Sequence, residues 1–138
     1  MRKSKDQYFM DIADVVSQQA TCAKRKVGAI IVKNNNLISS GYNGAPKNLP
    51  HCIDEGCLSD ENGKCLRCIH AEVNAIIHTS PDARDGATMY VTCEPCDKCQ
   101  LLIINSGITR LVFKNAHKPK VDWLSQAPWI EVVNLDLI

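Results

Sequence analysis

The period of the hydrophobic positions changes several times along this chain. Tyr8, Ile12, Val15 and Val16 recur at helical spacing and predict an amphipathic helix over 5–19. The run VGAIIVK (27–33) is rich in β-branched residues, NNN (34–36) has turn chemistry, and LISSGY (37–42) returns as a second strand, so a hairpin is expected. Residues 43–67 hold Gly, Pro and Asn with little periodicity. A loop this long in a compact domain is usually functional, or held by something other than a core. A helical pattern resumes from His70 to about Thr79, with Val73, Ile76 and Ile77 as its apolar stripe and Pro81 as its stop. ATMYVTC (87–93) alternates like a strand, and CDKCQLLIINS follows Pro95 as a helix capped by Gly107. TRLVF (109–113) and IEVVNL (130–135) read as further strands, with a short helix between them over 121–126.

This order predicts an α/β fold, a three-layer α/β/α sandwich with helices on both faces of a mixed central sheet of about five strands. The length of 138 residues and a hydrophobic content of 45% fit one domain, 1–138, with a sizeable core.

Charge narrows the partners. A net charge of +1 gives no broad attraction to nucleic acid or to an anionic membrane, so an anionic ligand should be small and met by a few local cations. No apolar run is long enough for a membrane span. The opening MRKSKDQYFMDIADVV is broken by Asp11 and Asp14 and lacks a cleavage site, so an intracellular, cytoplasmic protein is expected. The 8 cysteines then suggest metal binding or catalysis more than disulfides.

The chemistry concentrates around RCIHAEVNAII (67–77) and PCDKC (95–99). His70, Cys96 and Cys99 have the composition of a catalytic zinc site, three protein ligands with a fourth position left for water. Cys96 and Cys99 share one side of a first helical turn, whose positive end favours thiolates. Glu72 lies roughly 200° around an ideal helix from His70. It can meet the same metal only past the helix end, beside the bound water rather than as a ligand. A lone C-x-x-C is weak evidence, and a lone His at a helix start is usually a cap. H-x-E followed by P-C-x-x-C, however, is the known signature of the zinc nucleobase deaminases.

With these motifs the chain resembles the cytidine and deoxycytidylate deaminase superfamily, and specifically its dCMP branch. HAEVNAI (70–76), GATMYVTCEPCDKC (86–99), SGITRLVF (106–113), KVGAIIV (26–32) and GYNGAP (41–46) carry the resemblance in the family's order. It implies a cytidine-deaminase-like fold and hydrolysis of a C–N bond of a cyclic amidine, dCMP to dUMP and ammonia, the product serving as a thymidylate precursor. Water activated by zinc would attack C4 of cytosine while Glu72 moves the protons. Asn43 would contact the deoxyribose, and the backbone at Ala71 and from Thr92 to Glu94 would read the pyrimidine edge. The resemblance further implies a homo-hexamer, activated by dCTP with Mg²⁺ and inhibited by dTTP, with Gly41, Tyr42, Asn43 and Gly44 associated with the effector site.

Relatives of this branch carry a second, structural zinc held just before KVGA and in the long loop. Cys22 and Cys52 match those positions best, Cys57 and Cys65 complete the set, and Cys68 or His51 are substitutes. The segment PKNLPHCIDEGCLSDENGKCLRC lacks the apolar content to pack itself, which a metal would replace. Cys93 reads as a buried small apolar residue. Cations for a 5′-phosphate are Lys24, Arg25 and Lys26, and His117, Lys118 and Lys120 of HKPK (117–120). The family tends to carry an aromatic near His117, often Tyr. Its absence here leaves monophosphate selectivity open and raises dCTP as an additional substrate. The competing readings are a deaminase of tRNA adenosine, against which stand GYNG and the missing basic excess, and a non-enzymatic zinc module for nucleic acid, which gives Glu72 no role.

Overall fold

The computed structural model describes residues 1–22 and 24–138. Helix α1 (Lys5–Ser17) starts at Ser4, whose hydroxyl accepts from the Gln7 amide. Strands β1 (Gly28–Lys33) and β2 (Asn36–Tyr42) form the expected hairpin. Asn34 and Asn35 make its turn with φ of 53° and 63°, the left-handed pair that matches strand twist and that Asn tolerates. The long loop carries one turn of helix, α2 (Cys52–Glu55), and leads to α3 (Ala71–Ile77). Pro81 does more than end α3: it opens the short α4 (Pro81–Arg84). Then follow β3 (Thr88–Val91), α5 (Asp97–Asn105), β4 (Arg110–Phe113), a 3₁₀ turn (Leu124–Gln126), β5 (Glu131–Asn134) and a last 3₁₀ turn (Leu135–Leu137).

The five strands form one mixed sheet in the order β2-β1-β3-β4-β5, the first three antiparallel and the last three parallel. Alternation along the strands feeds two cores. Ala29, Ile31, Met89, Val91, Leu111 and Phe113 pack with Ala71 and Ala75 of α3 and Ile103 of α5. Ile30, Val32, Tyr90 and Val112 pack with Phe9, Met10 and Ala13 of α1 on the other face. The carboxyl ends of β3 and β4 open at the same edge, where an α/β sheet builds its sites.

Two helical faces differ from expectation, for one reason. In α1 the buried residues are Phe9, Met10 and Ala13, while Tyr8 and Val15 are exposed. In α3 they are Ala71, Glu72 and Ala75; Val73 and Ile76 are half-buried and Ile77 is 64% exposed. Both helices approach the sheet at a glycine. A Cβ on Gly28 would lie 2.2 Å from the Ala13 carbonyl oxygen, and one on Gly41 would lie 2.4 Å from the Ala75 nitrogen and 2.5 Å from the Ala71 oxygen. Close backbone approach puts the smallest residues at the contact and displaces the larger apolar ones to its margins.

Candidate active site and metal centre

Two helix starts meet at the carboxyl edge of the sheet. His70 is the N-cap of α3 and Cys96 the N-cap of α5, with Cys99 in the first turn of α5. His70 Nδ1 lies 3.3 Å from Cys99 Sγ and 3.6 Å from Cys96 Sγ. A tetrahedral zinc with ordinary Zn–N and Zn–S bonds separates such ligand atoms by about 3.5 Å, so the three fit one ion through Nδ1 and two sulfurs. His70 is exposed, Cys96 half-buried and Cys99 buried.

The charges there are interdependent. Hydrogen bonding from the Cys99 thiol, and then from His70, holds Cys96 down to about 3, against the effect of burial. Cys99 is pushed far up by the neighbouring Cys96 sulfur and by burial. Cys96 raises His70 in turn. The pair therefore shares one proton, the state a divalent cation would replace with two thiolates. Glu72, 4% exposed, has its carboxyl beside the Cys99 thiol; burial raises its pKa above the ordinary carboxylate value.

The other expected site residues take defined places around this group. Thr92 is pinned to β1, its hydroxyl accepting from the Gly28 amide at 3.1 Å. Arg25 reaches over to the Cys93 sulfur, while Lys26 is exposed. Cys93 is half-buried rather than sealed in the core, because it sits where β3 gives way to the site loop. Asn43 is buried with its amide engaged by main chain: Oδ1 accepts from Val27 N at 2.7 Å and Nδ2 donates to the Arg25 carbonyl at 2.5 Å. It thus braces the segment that carries Arg25. Gly41 packs on α3, Gly44 faces Thr21, and Tyr42 is 40% exposed. The His117 amide donates to Glu94 Oε1 at 3.0 Å, and Lys118 and Lys120 line a cavity of about 510 Å³ with Glu94, Ala116, Pro119 and Asp122.

A second group forms beside the first. Sulfurs of Cys22, Cys52, Cys65 and Cys68 lie within 4.8 Å of one another. Cys52 Sγ is 3.3 Å from Cys65 and 3.6 Å from Cys68, far longer than a disulfide and near the sulfur spacing of a tetrahedral thiolate site. Burial would raise Cys65, but hydrogen bonds from Cys52, from the Arg67 and Cys68 backbone and from the Cys68 thiol bring it to about 6. Cys52 is pushed up to about 11 and Cys68 also upward, both chiefly by burial. Cys57 is not one of the converging four, and Cys68 takes its place. Cys57 stays beside Cys52, whose thiol it hydrogen-bonds, while the Ser59–Cys65 and Gly44–Ile69 bridges bring Cys65 and Cys68 into the group. His51 is engaged elsewhere, its Nδ1 2.9 Å from Thr21 Oγ1. Lys24 also serves this loop, donating to Ser59 Oγ and the Gly63 carbonyl.

Sequence reasoning missed two residues. Gln100, fully buried, donates to the Pro95 carbonyl at 3.4 Å and accepts from the Leu124 amide at 3.0 Å, tying the P-C turn to the 3₁₀ segment. A polar residue on the apolar face of a helix was its signal. Asn115 is the other, and its signal is weaker, an Asn just past a strand.

The match to known proteins is direct. The family profile described as the cytidine and deoxycytidylate deaminase zinc-binding region covers residues 3–115. The chain belongs to this family. It is 36% identical over 125 residues to the deoxycytidylate deaminase of Saccharomyces cerevisiae, covering 86% of this chain and 40% of that protein. It is 40% identical over 118 residues to the deoxycytidylate deaminase of Mycobacterium phage D29, covering 78% of this chain and 92% of that one. The crystal structure of dCMP deaminase from the cyanophage S-TIM5, in complex with dCMP and dUMP, superposes with a TM-score of 0.80 at 28% identity, covering 98% of this chain and 99% of that one. The chain thus spans about two fifths of the yeast relative but nearly all of the phage proteins. The three-layer architecture and the mixed sheet are those of this family, and the convergent His70, Cys96 and Cys99 lie within the stretch that matches its zinc-binding region. Among the described residues no helix is long and apolar enough to cross a membrane.

Proposed function

We propose that this chain is a hydrolase that deaminates dCMP to dUMP and ammonia. The observation that carries the reading is a buried carboxyl, Glu72, beside the convergent His70, Cys96 and Cys99. The likeness to phage deoxycytidylate deaminases of nearly the same length supports the substrate.

His70 Nδ1 and the sulfurs of Cys96 and Cys99 would hold the zinc. When bound, zinc supplies Lewis acidity that makes water a nucleophile near neutral pH. Glu72 takes a proton from that water as oxygen adds to C4 of the ring, and delivers it to N3. It then moves the remaining hydroxyl proton to the amino nitrogen, which leaves as ammonia and restores Glu72. A carboxyl whose pKa is raised by burial is suited to both accepting and returning a proton. The backbone at Ala71 and from Thr92 to Glu94 orients the pyrimidine. Asn43 braces Arg25 and keeps amide capacity for the deoxyribose. Arg25, Lys26, His117 and Lys118 meet the phosphate.

A structural zinc held by Cys22, Cys52, Cys65 and Cys68 fits the spacing of those sulfurs. Regulation by dCTP with Mg²⁺ and by dTTP at Gly41–Gly44 and a homo-hexameric state rest on the GYNG motif. The exposed apolar side chains of Tyr42, Ile77, Leu101 and Leu102 suit an assembly. Eight free thiols suit a cytoplasmic protein. The cavity beside Glu94, lined by Lys118 and Lys120, has room for further phosphates and favours dCTP as a second substrate.

The test is ammonia release from dCMP, CMP, dCTP, deoxycytidine and tRNA, each with and without dCTP or dTTP as effector. Turnover confined to dCMP and dCTP supports the proposal; turnover of tRNA alone overturns it.

A further inference from the structure

We infer that Asn115 is a positioning residue, holding the Thr92–Glu94 loop in the orientation that reads the pyrimidine; this rests on the deaminase reading above. Asn115 follows β4 at φ 56°, a left-handed conformation that costs energy in any residue with a side chain and that Asn bears better than most. Three hydrogen bonds converge on it. Its Nδ2 donates to the Thr92 carbonyl at 2.8 Å, its own carbonyl accepts from the Glu94 amide at 3.3 Å, and its amide donates to Asp136 Oδ2 at 2.8 Å. One residue thus grips both ends of a three-residue loop. Its side chain takes the carbonyl at 92, its main chain takes the amide at 94, and Asp136 steadies it from the far side. Two residues on, the His117 amide donates to Glu94 Oε1 and repeats the grip.

The loop needs this help. It lies between the end of β3 and the N-cap of α5; the Thr92 amide still donates to the Gly28 carbonyl at 3.0 Å, but Cys93 and Glu94 lie past the ladder and before the helix. The Gly28 contact fixes Thr92 from the β1 side but leaves Cys93 and Glu94 free to rotate. Main-chain groups that read a flat ring must hold to about 0.5 Å. Cys96 does not depend on the same grip, because Gln100 anchors Pro95 from within α5. Removing the Asn115 side chain should therefore disturb base recognition and leave the metal ligands in place.

The alternative is that Asn115 merely tolerates its backbone angle. Two variants separate the explanations. Asn115→Gly relaxes the backbone and lacks the amide donor. Asn115→Asp keeps the size and much of the left-handed preference, and also lacks the donor. With dCMP as substrate, both should raise KM about tenfold, as expected for one lost orienting hydrogen bond, with kcat within about threefold, since binding in ground and transition states weakens alike. Zinc content should be unchanged. The Glu94 amide of Asn115→Asp should exchange with solvent about tenfold faster than in the wild type. A wild-type KM in either variant, or a kcat loss that tracks loss of zinc, would falsify the inference. If the wild type releases no ammonia from dCMP, the activity reading falls instead. Glu94 exchange then decides alone: faster exchange in Asn115→Asp keeps the positioning role, and an unchanged rate overturns it.

Discussion

Cys68 and His70 stand two residues apart, yet their side chains belong to different sulfur-bearing groups. Cys68 Sγ is 3.6 Å from Cys52 Sγ, whereas His70 Nδ1 is 3.3 Å from Cys99 Sγ. Between them Ile69 is held on both sides by Gly44, which donates to its carbonyl at 3.1 Å and accepts from its amide at 2.8 Å. The four-thiol group and the His70/Cys96/Cys99 group are therefore joined by a stiff one-residue strut.

On the proposed zinc assignment, that strut makes the four-thiol group a support of His70. Metal analysis of the wild type should give two zinc per chain. Cys68→Ser should lose one and reduce activity about 10- to 100-fold, the usual effect of disturbing a ligand's outer support. Cys57→Ser should keep both and stay active. Equal zinc loss in the two variants would exclude the assignment of Cys68.

Glu72 should separate metal binding from chemistry. Glu72→Gln should retain zinc while ammonia release falls about 10²- to 10⁴-fold. The sign of its pKa shift sets a second expectation. A carboxyl raised by burial opposes folding once pH exceeds its ordinary value, because the native state resists its ionisation. A neutral Gln removes that opposition, so at pH 7 the metal-free variant should unfold no lower than the metal-free wild type by calorimetry.

Gly41 should not tolerate even one methyl group. A Cβ there would collide with backbone of Ala71 and Ala75, which flexible side chains cannot relieve. Gly41→Ala should cost about 1–3 kcal/mol and, by moving the start of α3, lower activity more than stability alone explains. Thermal melting and kcat on one preparation test both parts. An unchanged melting curve would show that α3 can shift freely.

Acid should loosen α1 first. Asp6 accepts both arms of the Arg110 guanidinium at 2.7 Å and the Tyr90 hydroxyl at 2.7 Å. The Arg110 hydrogen bonds hold its pKa below the ordinary value, with Tyr90 adding to the effect against burial. A depressed carboxylate stabilises the fold above its unfolded pKa and loses that contribution as pH falls through the folded one. The difference between wild type and Asp6→Asn should thus be about 1 kcal/mol at pH 7, partly screened, should begin to fall only below about pH 4, and should vanish once pH has dropped through the depressed folded pKa. Urea melts at the two pH values measure it.

Much of this molecule is legible without coordinates. The turn chemistry of the three asparagines, the β-branched run before them, Pro95 just ahead of the Cys96 N-cap, and Gly107 just past the end of α5 mark elements through local sterics, which act within a few residues. The spacing of Cys96 and Cys99, and His70 with Glu72, restricts chemistry in the same local way. Helical faces were less legible: periodicity reports an angle, but Gly28 and Gly41 choose which residues of that angle touch the sheet.

The sequence by itself determined the order of the five strands and the main helices, the alternation that feeds two cores, and the close spacing of Cys96 and Cys99, because each depends on neighbours in the chain. Only tertiary structure decided that Cys68 joins Cys22, Cys52 and Cys65 while Cys57 stays out, and that Asn115 reaches back to Thr92. Those pairings cross as many as 46 residues, between Cys22 and Cys68. They depend on where the Ser59–Cys65 and Gly44–Ile69 bridges and the end of β4 bring the chain, and no local preference encodes that direction.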